Sequence, residues 1–125
     1  MAQDVLRTPP SELTELQLAS QKRAVPQVDG QATYTVTVAL TNVRGKVQLN
    51  GSNTGAVGDY DYVGLYKAPL PPDPNSNGYV TFRYVEDGLP HVTGEDYGPG
   101  WVGAYVAFDY LRGTYRYLAR TGTTT

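Results

Sequence analysis

From residue 31 onward, apolar and polar residues alternate with a period of two, the pattern of β-strands that are wet on one face. In ATYTVTVALT, residues 32–41, apolar side chains alternate with threonines. The same alternation recurs in VRGKVQLNGS, DYVGLYK, YVTFRYV and TYRYLAR, and WVGAYVAFDY is apolar on both faces, as a central strand is. Turn residues, Arg44-Gly45 among them, separate these stretches. The pattern predicts an all-β domain of about six or seven short antiparallel strands, in a β-sandwich or a small barrel.

Residues 1–30 lack this alternation. The segment PPSELTELQLASQKRA contains good helix formers, and Ser11 follows Pro9-Pro10 at a position suited to an N-cap. A helix here would end before Pro26. We therefore predict an N-terminal arm or short helix over residues 1–30 and a β-sandwich domain over residues 31–125.

Composition and charge exclude several classes of function. A chain of 125 residues is one domain, its net charge is −2, and its ten Lys and Arg residues are scattered, so no basic stripe indicates a nucleic-acid partner. The chain has no cysteine, which excludes disulfides and thiolate chemistry. No apolar run reaches membrane-spanning length and no signal-peptide core is visible, so we expect a soluble protein. The sequence does not indicate its cellular compartment.

The stretch from Asp59 to Val85 shows a partial resemblance to a known strand pattern. GDYDYVGLYK, followed by a proline-bearing loop and YVTFRYV, resembles the DWIGLF…YYTF pattern of SKICH domains. The N-terminal sandwich domains of purple acid phosphatases are similar in the same stretch. This resemblance implies an antiparallel immunoglobulin-like β-sandwich. It also implies a binding or docking role without catalysis, because the matching residues lie in strands and none of them is catalytic.

The sequence offers two candidate cation sites. In DPNSNG, the residues Asp73, Asn75 and Asn77 fit the first half of an EF-hand loop, although Tyr84 stands where the bidentate Glu would be. A turn built from Asp, Asn and Gly has the same sequence pattern. Asp59 and Asp61, at a spacing of two, point the same way if the strand has begun. Both sites stay open as calcium sites, and we expect no resident cofactor.

Asp59 and Asp61 have two interpretations, one as cation ligands and one as structural residues. With Glu95 and Asp96 they would supply an oxygen cage for a hard cation. Alternatively, they guard the entrance of a strand against pairing with other chains. In that interpretation Tyr60, Tyr62 and Tyr66 face outward on a half-wet sheet.

Catalytic chemistry has little support in the sequence. His91 is the single histidine, and its nearest carboxylates in sequence, Asp87 and Glu95, belong to the same long connection. Neither a nucleophile elbow nor a zinc-protease motif is present, and a Glu86–Glu95 glycosidase pair would need a cleft that so short a chain does not suggest. We predict a protein that is not an enzyme.

Aromatic residues beside the long loops predict a ligand site. The chain has eleven tyrosines against two phenylalanines; Tyr97 lies in an acidic connection over residues 86–100, and Trp101 directly follows it. Exposed rings stack on sugars while nearby carboxylate and amide groups bind the hydroxyls. The predicted ligand-binding residues are Tyr97, Trp101, Glu95, Asp96, Asn75 and Asn77. Trp101 would equally serve as a core tryptophan, and the sequence leaves this choice open.

Two functional classes follow from these observations. The first is a small carbohydrate-binding, lectin-like module with a glycan ligand. The alternative is an assembly or docking subunit, in which the N-terminal arm and a tyrosine-rich sheet face engage a partner protein or further copies in a homo-oligomer. Exposure of the Trp101 ring separates the two classes.

Overall fold

The computed structural model describes residues 35–55, 57–58, 60–109 and 113–125. Antiparallel β-strands make up most of this part of the chain, which confirms the all-β prediction. The strands are β1 (Val36–Val43), β2 (Lys46–Asn53), β3 (Tyr62–Lys67), β4 (Thr81–Tyr84), β5 (His91–Asp96), β6 (Trp101–Asp109) and β7 (Thr114–Arg120), with 3-10 turns at Pro74–Ser76 and Val85–Asp87. The predicted arm or helix over residues 1–30, with its N-cap Ser11, lies outside the described residues.

The strands form two sheets with a hydrophobic core between them. One sheet has the order β1-β2-β5 and the other β4-β3-β6-β7, and all hydrogen-bonded neighbours are antiparallel. Val47 and Leu49 of the three-stranded sheet pack with Val63, Leu65 and Tyr105 of the four-stranded sheet, and all five side chains are fully buried. The alternation seen in the sequence therefore places one face of each of these strands in a shared core.

A two-residue turn joins β1 to β2 and sets their register. Arg44 and Gly45 both have positive φ, 54° and 86°, as in the hairpin turn whose twist matches that of the flanking strands. The Asn42 side chain supports the turn by accepting a hydrogen bond from the Gly45 N–H at 2.8 Å. The predicted Arg44-Gly45 turn is confirmed, and every residue of β1 pairs with β2 in one unbroken register.

β5 lies in a segment that the sequence indicated to be a loop. Residues 86–100 were expected to form one long connection, but His91–Asp96 pairs with β2. The inward residue is Thr93, which is buried and donates its hydroxyl hydrogen to the Val47 carbonyl at 2.8 Å, while Val92 faces solvent. In β5 the polar residue therefore points inward and the apolar residue points outward, which reverses the pattern by which a half-buried strand is usually identified.

The four-stranded sheet carries a second aromatic layer on the face turned away from the three-stranded sheet. Tyr62, Tyr66 and Tyr84 lie there with at most 1% of their surface exposed, while Tyr60 is half-buried against Tyr84. The prediction that Tyr62 and Tyr66 occupy a half-wet face is therefore wrong. The rings pack edge to face, and the Tyr62 ring contacts those of Tyr79, Phe82, Tyr84 and Tyr115.

The connection from β3 to β4, residues 68–80, folds over this aromatic face, and we call it the strap. The Pro71 carbonyl accepts a hydrogen bond from the Tyr117 hydroxyl at 2.7 Å. Farther along, the Asn75 side chain accepts from the backbone N–H of Tyr115 at 3.0 Å. Leu70 and Tyr79 of the strap pack against the buried rings. These contacts exclude water from a sheet face that the sequence alone assigns to solvent.

Candidate functional site

Trp101, the central residue of the predicted sugar site, lies in the core between the sheets. Its side chain packs with the fully buried β2 and β3 residues, and only 8% of the residue is exposed. The indole N–H donates to the Asp96 carbonyl at 2.9 Å. The Lys67 ammonium lies 5.9 Å from the ring centre, within the range of a cation–π contact. The structure thus places the ring in the core, with little of its surface open to a stacking sugar.

The neighbouring predicted residues are held by structural contacts. Tyr97 is half-buried against the same core, and its backbone N–H donates to the Gly45 carbonyl at 2.8 Å. Glu95 and Asp96 lie on β5 and not on a loop. The Asp96 carboxylate is exposed and lies 2.6 Å from the Lys46 ammonium. The hydrogen bond from Lys46, together with its positive charge, lowers the pKa of Asp96.

The C-terminal segment fixes the turn that precedes Trp101. The backbone N–H groups of Gly100 and Trp101 donate to the carbonyl and hydroxyl oxygens of Thr124, both at 2.9 Å. The Thr124 hydroxyl in turn donates to the Gly98 carbonyl at 2.7 Å. The last residues of the predicted binding loop, from Gly98 to Gly100, are therefore held by hydrogen bonds to Thr124.

Asp73, Asn75 and Asn77 lie on the strap and build its turn. The Asp73 carboxylate accepts hydrogen bonds from the Asn75 backbone and side-chain N–H groups, at 2.9 and 3.1 Å, as an N-cap. Asn77 adopts a left-handed conformation with φ of 54°. The Asn75 amide also donates to Thr114 at 2.6 Å. The DPNSNG motif thus forms a turn, which the sequence offered as the alternative to a calcium site.

The two groups of predicted ligand residues lie at opposite ends of the four-stranded sheet. Trp101 begins β6, whereas Asn75 contacts Thr114, which pairs with the last β6 residue, Asp109. Eight steps of a strand cover roughly 26 Å at about 3.3 Å per residue. The structure therefore does not bring Tyr97, Glu95, Asp96 and Trp101 together with Asn75 and Asn77.

Asp61, one of the predicted metal ligands, is buried at the end of the core. Its carboxylate accepts a hydrogen bond from the Tyr105 hydroxyl at 2.8 Å, and the Asn53 amide donates to the same hydroxyl at 3.3 Å. With 4% exposure, Asp61 does not guard a strand edge as expected. Asp59 lies outside the described residues. Within the described ranges, no three acidic or histidine side chains are grouped so as to hold a metal ion.

Burial dominates the electrostatics of the tyrosines. It raises the pKa of Tyr105, and the negative charge of Asp61 raises it further. On the outer aromatic face, burial also raises the pKa values of Tyr62, Tyr66 and Tyr115, the last to about 12. The Tyr115 hydroxyl is buried without a hydrogen-bond partner. This face is therefore a neutral, packed layer and not an accessible binding surface.

Three of the four sheet edges carry features that oppose pairing with another strand. β4 is only four residues long and carries Arg83. β5 is irregular in its register with β2 and ends in Glu95-Asp96. On β7 the Asn75 side chain already occupies the Tyr115 N–H, and charged arginines line the strand. Short strands, charges, bulges and covering groups are the usual means of blocking a sheet edge.

β1 forms the remaining edge, and within the part of the chain that the structure describes it carries none of these features. Its eight residues, VTVALTNV, include no charge, proline or glycine, and no described strand pairs with its outer side. The Thr35 carbonyl accepts a hydrogen bond from the Thr54 N–H, so alternate residues from Thr35 onward direct their backbone groups toward β2. The backbone groups of the other set point away from the sheet: Val36, Val38, Leu40 and Asn42.

The core is incomplete along this edge. The side chains of Val36, Val38 and Leu40 pack against the inter-sheet core but stay only half-buried. Leu40 reaches over Gly103 of the opposite sheet, where an added Cβ would lie 2.8 Å from the Leu40 Cδ2. A strand added to β1 would cover the outer flank of this apolar row. The open edge was not predicted, although the absence of charge from Thr35 to Val43 is a signal for it.

Comparison of the chain with models of protein families, with curated proteins and with solved structures gave no match. Among the described residues, no helix is long and apolar enough to cross a bilayer.

Proposed function

We propose that the protein is a non-catalytic assembly or docking subunit, an immunoglobulin-like β-sandwich that joins other protein chains through the open edge of β1. The observation that carries this proposal is the contrast among the four edges. β1 is long, regular and uncharged, whereas the other edges are short, bulged, charged or covered. An extended segment that pairs with such an edge gains main-chain hydrogen bonds, and its alternate side chains meet the exposed flank of the core.

The geometry favours this function over sugar binding. A stacking site needs an accessible ring, and Trp101 is enclosed with its N–H bound internally. The polar residues that were predicted to bind the sugar hydroxyls lie in two groups, near opposite ends of β6. The docking surface also differs from the one expected, since the tyrosine-rich face is covered by the strap. The partial resemblance of residues 59–85 to SKICH domains supports a docking role as well.

Binding of a strand to β1 is the direct test. The probe is a short fluorescent peptide of alternating threonine and valine, flanked by lysines for solubility, and its binding is followed by polarisation. Val38→Pro removes an outward N–H from the edge and leaves the hydrogen bonds between β1 and β2 intact. We expect the wild-type protein to bind the peptide and Val38→Pro to lose most of that binding.

The matched control is Asn50→Ala, which changes one exposed side chain on the neighbouring strand β2 and no group of the β1 edge. It should bind the peptide as the wild type does. Circular dichroism must show that Val38→Pro is folded, since its valine also contributes to the core. If the wild-type protein fails to bind, or if folded Val38→Pro binds equally well, the edge is not a docking surface.

A further inference from the structure

We propose that the occupant of the β1 edge is a second copy of this chain. In this arrangement the two β1 strands pair antiparallel about a two-fold axis that passes between Ala39 and its counterpart. The two three-stranded sheets then form one continuous six-stranded sheet. This inference rests on the proposed docking function and identifies its partner.

The backbone fits this register. The outward hydrogen-bonding groups belong to Val36, Val38, Leu40 and Asn42, which are symmetric about Ala39. With Ala39 on the axis, Val38 faces Leu40 of the second copy and Val36 faces Asn42, so all four residues find hydrogen-bonded partners. A shift of the register leaves outward groups at the strand ends unpaired. The register centred on Ala39 is therefore the one that uses the whole edge.

The side chains fit the same register. The segment Thr37-Val38-Ala39-Leu40-Thr41 has the same polar and apolar pattern in both directions. On the outer face, Thr37 meets Thr41 of the second copy, a favourable cross-strand pair. Ala39 meets its counterpart at the axis, in a non-hydrogen-bonded pair where the strands approach most closely and a small side chain fits.

The inner face explains why a copy of this chain suits the edge. Val38 and Leu40 of the two copies lie side by side and continue the apolar row that is half-buried at the present edge. The strand contains no charge, so pairing with itself opposes no like charges. A two-fold interface uses the open edge of both copies, and the remaining edges are blocked. Growth therefore stops at a dimer.

Cysteine crosslinking of the full-length chain tests this register without interference, because the chain has no native cysteine. Opposed residues of a non-hydrogen-bonded pair have Cα atoms about 4.5 Å apart, within the disulfide range of about 4.4–6.8 Å. We expect Ala39→Cys to form a covalent dimer in a glutathione redox buffer at concentrations where sedimentation shows association, and to return to monomer on reduction.

Off-axis variants provide the matched controls. Thr37→Cys alone should stay largely uncrosslinked, since its own counterpart lies about 14 Å away along the partner strand, at about 3.4 Å per residue. A mixture of Thr37→Cys and Thr41→Cys should form a mixed disulfide, because these positions face each other. Ser52→Cys, exposed on β2 one strand from the edge, should not crosslink.

A separate variant tests association without a disulfide. Ala39→Lys places two positive charges at the axis and should shift the protein to monomer. Asn50→Lys adds the same charge on the neighbouring strand, opposite Ala39 within one copy, and should leave the dimer intact.

Three results would overturn the inference. They are a wild type that stays monomeric at every concentration, a dimer that Ala39→Cys does not crosslink, and a monomer whose Val38 and Leu40 amides resist hydrogen exchange. The last would mean that another segment of the same chain covers the edge. The peptide experiment separates these failures from failure of the docking function. If the protein is a monomer that binds the peptide, the β1 edge is a docking surface, and only the proposal that a second copy occupies it is wrong.

Discussion

The hydroxyl group of Tyr105 donates a hydrogen bond to the buried carboxylate of Asp61 across 2.8 Å, and this contact joins β6 to the entrance of β3. Both residues are almost completely enclosed, with exposures of 0% and 4%. A charged group in such a place is tolerated when hydrogen bonds replace the water that it has lost. The sequence indicated Asp61 as an edge guard or a cation ligand, and the structure makes it part of the core.

Tyr105→Phe should therefore destabilise the protein. The substitution keeps the ring and removes a hydrogen-bond donor from a buried acceptor, which costs about 1–3 kcal/mol. The free energy of unfolding from urea titration measures this cost. Equal stability of Tyr105→Phe and wild type would mean that the Tyr105 hydroxyl contributes nothing to holding Asp61.

Tyr115→Phe is the matched comparison, and we expect it to leave the free energy of unfolding unchanged or to raise it. Tyr115 is also buried, with 6% of its surface exposed, but its hydroxyl has no hydrogen-bond partner. Removing an unpaired buried hydroxyl relieves a desolvation cost. A loss of stability as large as that of Tyr105→Phe would show that the Tyr115 hydroxyl is bonded in solution.

Alkaline pH should unfold the protein through its buried tyrosines. Burial raises the pKa values of Tyr62, Tyr66, Tyr105 and Tyr115 in the folded state. Their stabilising contribution is complete below the ordinary tyrosine pKa of about 10, where both states are protonated. Above it the unfolded chain releases protons that the folded protein keeps, so stability falls as pH rises.

Phenolate absorbance checks this expectation when it is recorded together with circular dichroism. The buried tyrosines should ionise together with unfolding, so that their absorbance rises as the circular dichroism signal is lost. Ionisation of all eleven tyrosines in one step, with the fold retained, would contradict the burial of the aromatic layer.

Local patterns predicted most of the strands, because burial of one strand face leaves a period of two in the sequence. β5 was not predicted, because its inward position is filled by Thr93, whose hydroxyl donates a hydrogen bond to the Val47 carbonyl. Periodicity detects apolar residues that point inward. It cannot detect a polar residue whose partner lies on another strand.

The candidate site was harder to predict than the fold, because it depends on contacts between distant segments. Tyr62 and Tyr66 have the sequence pattern of a wet face, and only the strap, held by Tyr117 and Asn75, makes that face dry. Similarly, nothing near Trp101 in the sequence shows that Thr124 closes the turn beside it. The open edge of β1 was within reach of sequence reasoning, since its lack of charge is a local property.

Gly64→Ala should destabilise the protein by about 1–3 kcal/mol, the usual cost of overpacking. The Tyr66 ring lies across Gly64 on the outer face, and a Cβ on Gly64 would lie 2.8 Å from the Tyr66 Cε1 and Oη atoms. Tyr66 is only 1% exposed, so its ring has little room to move. Thermal and urea unfolding measure the loss.

Two further variants identify the cause of that loss. Gly94→Ala, on exposed β5, adds a methyl group that meets nothing within 4 Å and should be tolerated. Gly64→Ala should cost less in a Tyr66→Leu background, because the atoms that it meets are gone. If the cost of Gly64→Ala is unchanged there, the ring is not its origin.

Trp101→Ala should cost roughly 3–5 kcal/mol, as expected for a large core ring replaced by a methyl group. The wild-type tryptophan emission should be that of a buried indole, since the ring packs between the sheets and only 8% of the residue is exposed. Lys67→Met removes the ammonium near the ring without opening the core, so its loss should not exceed the roughly 0.5–1 kcal/mol of an exposed cation–π contact. Urea titration of the three proteins ranks these costs, and a glycan-array screen of the wild type accompanies it. Near-normal stability of Trp101→Ala, together with loss of binding to a glycan that the wild type binds, would place the ring at a sugar site. Carbohydrate binding would then be favoured over assembly.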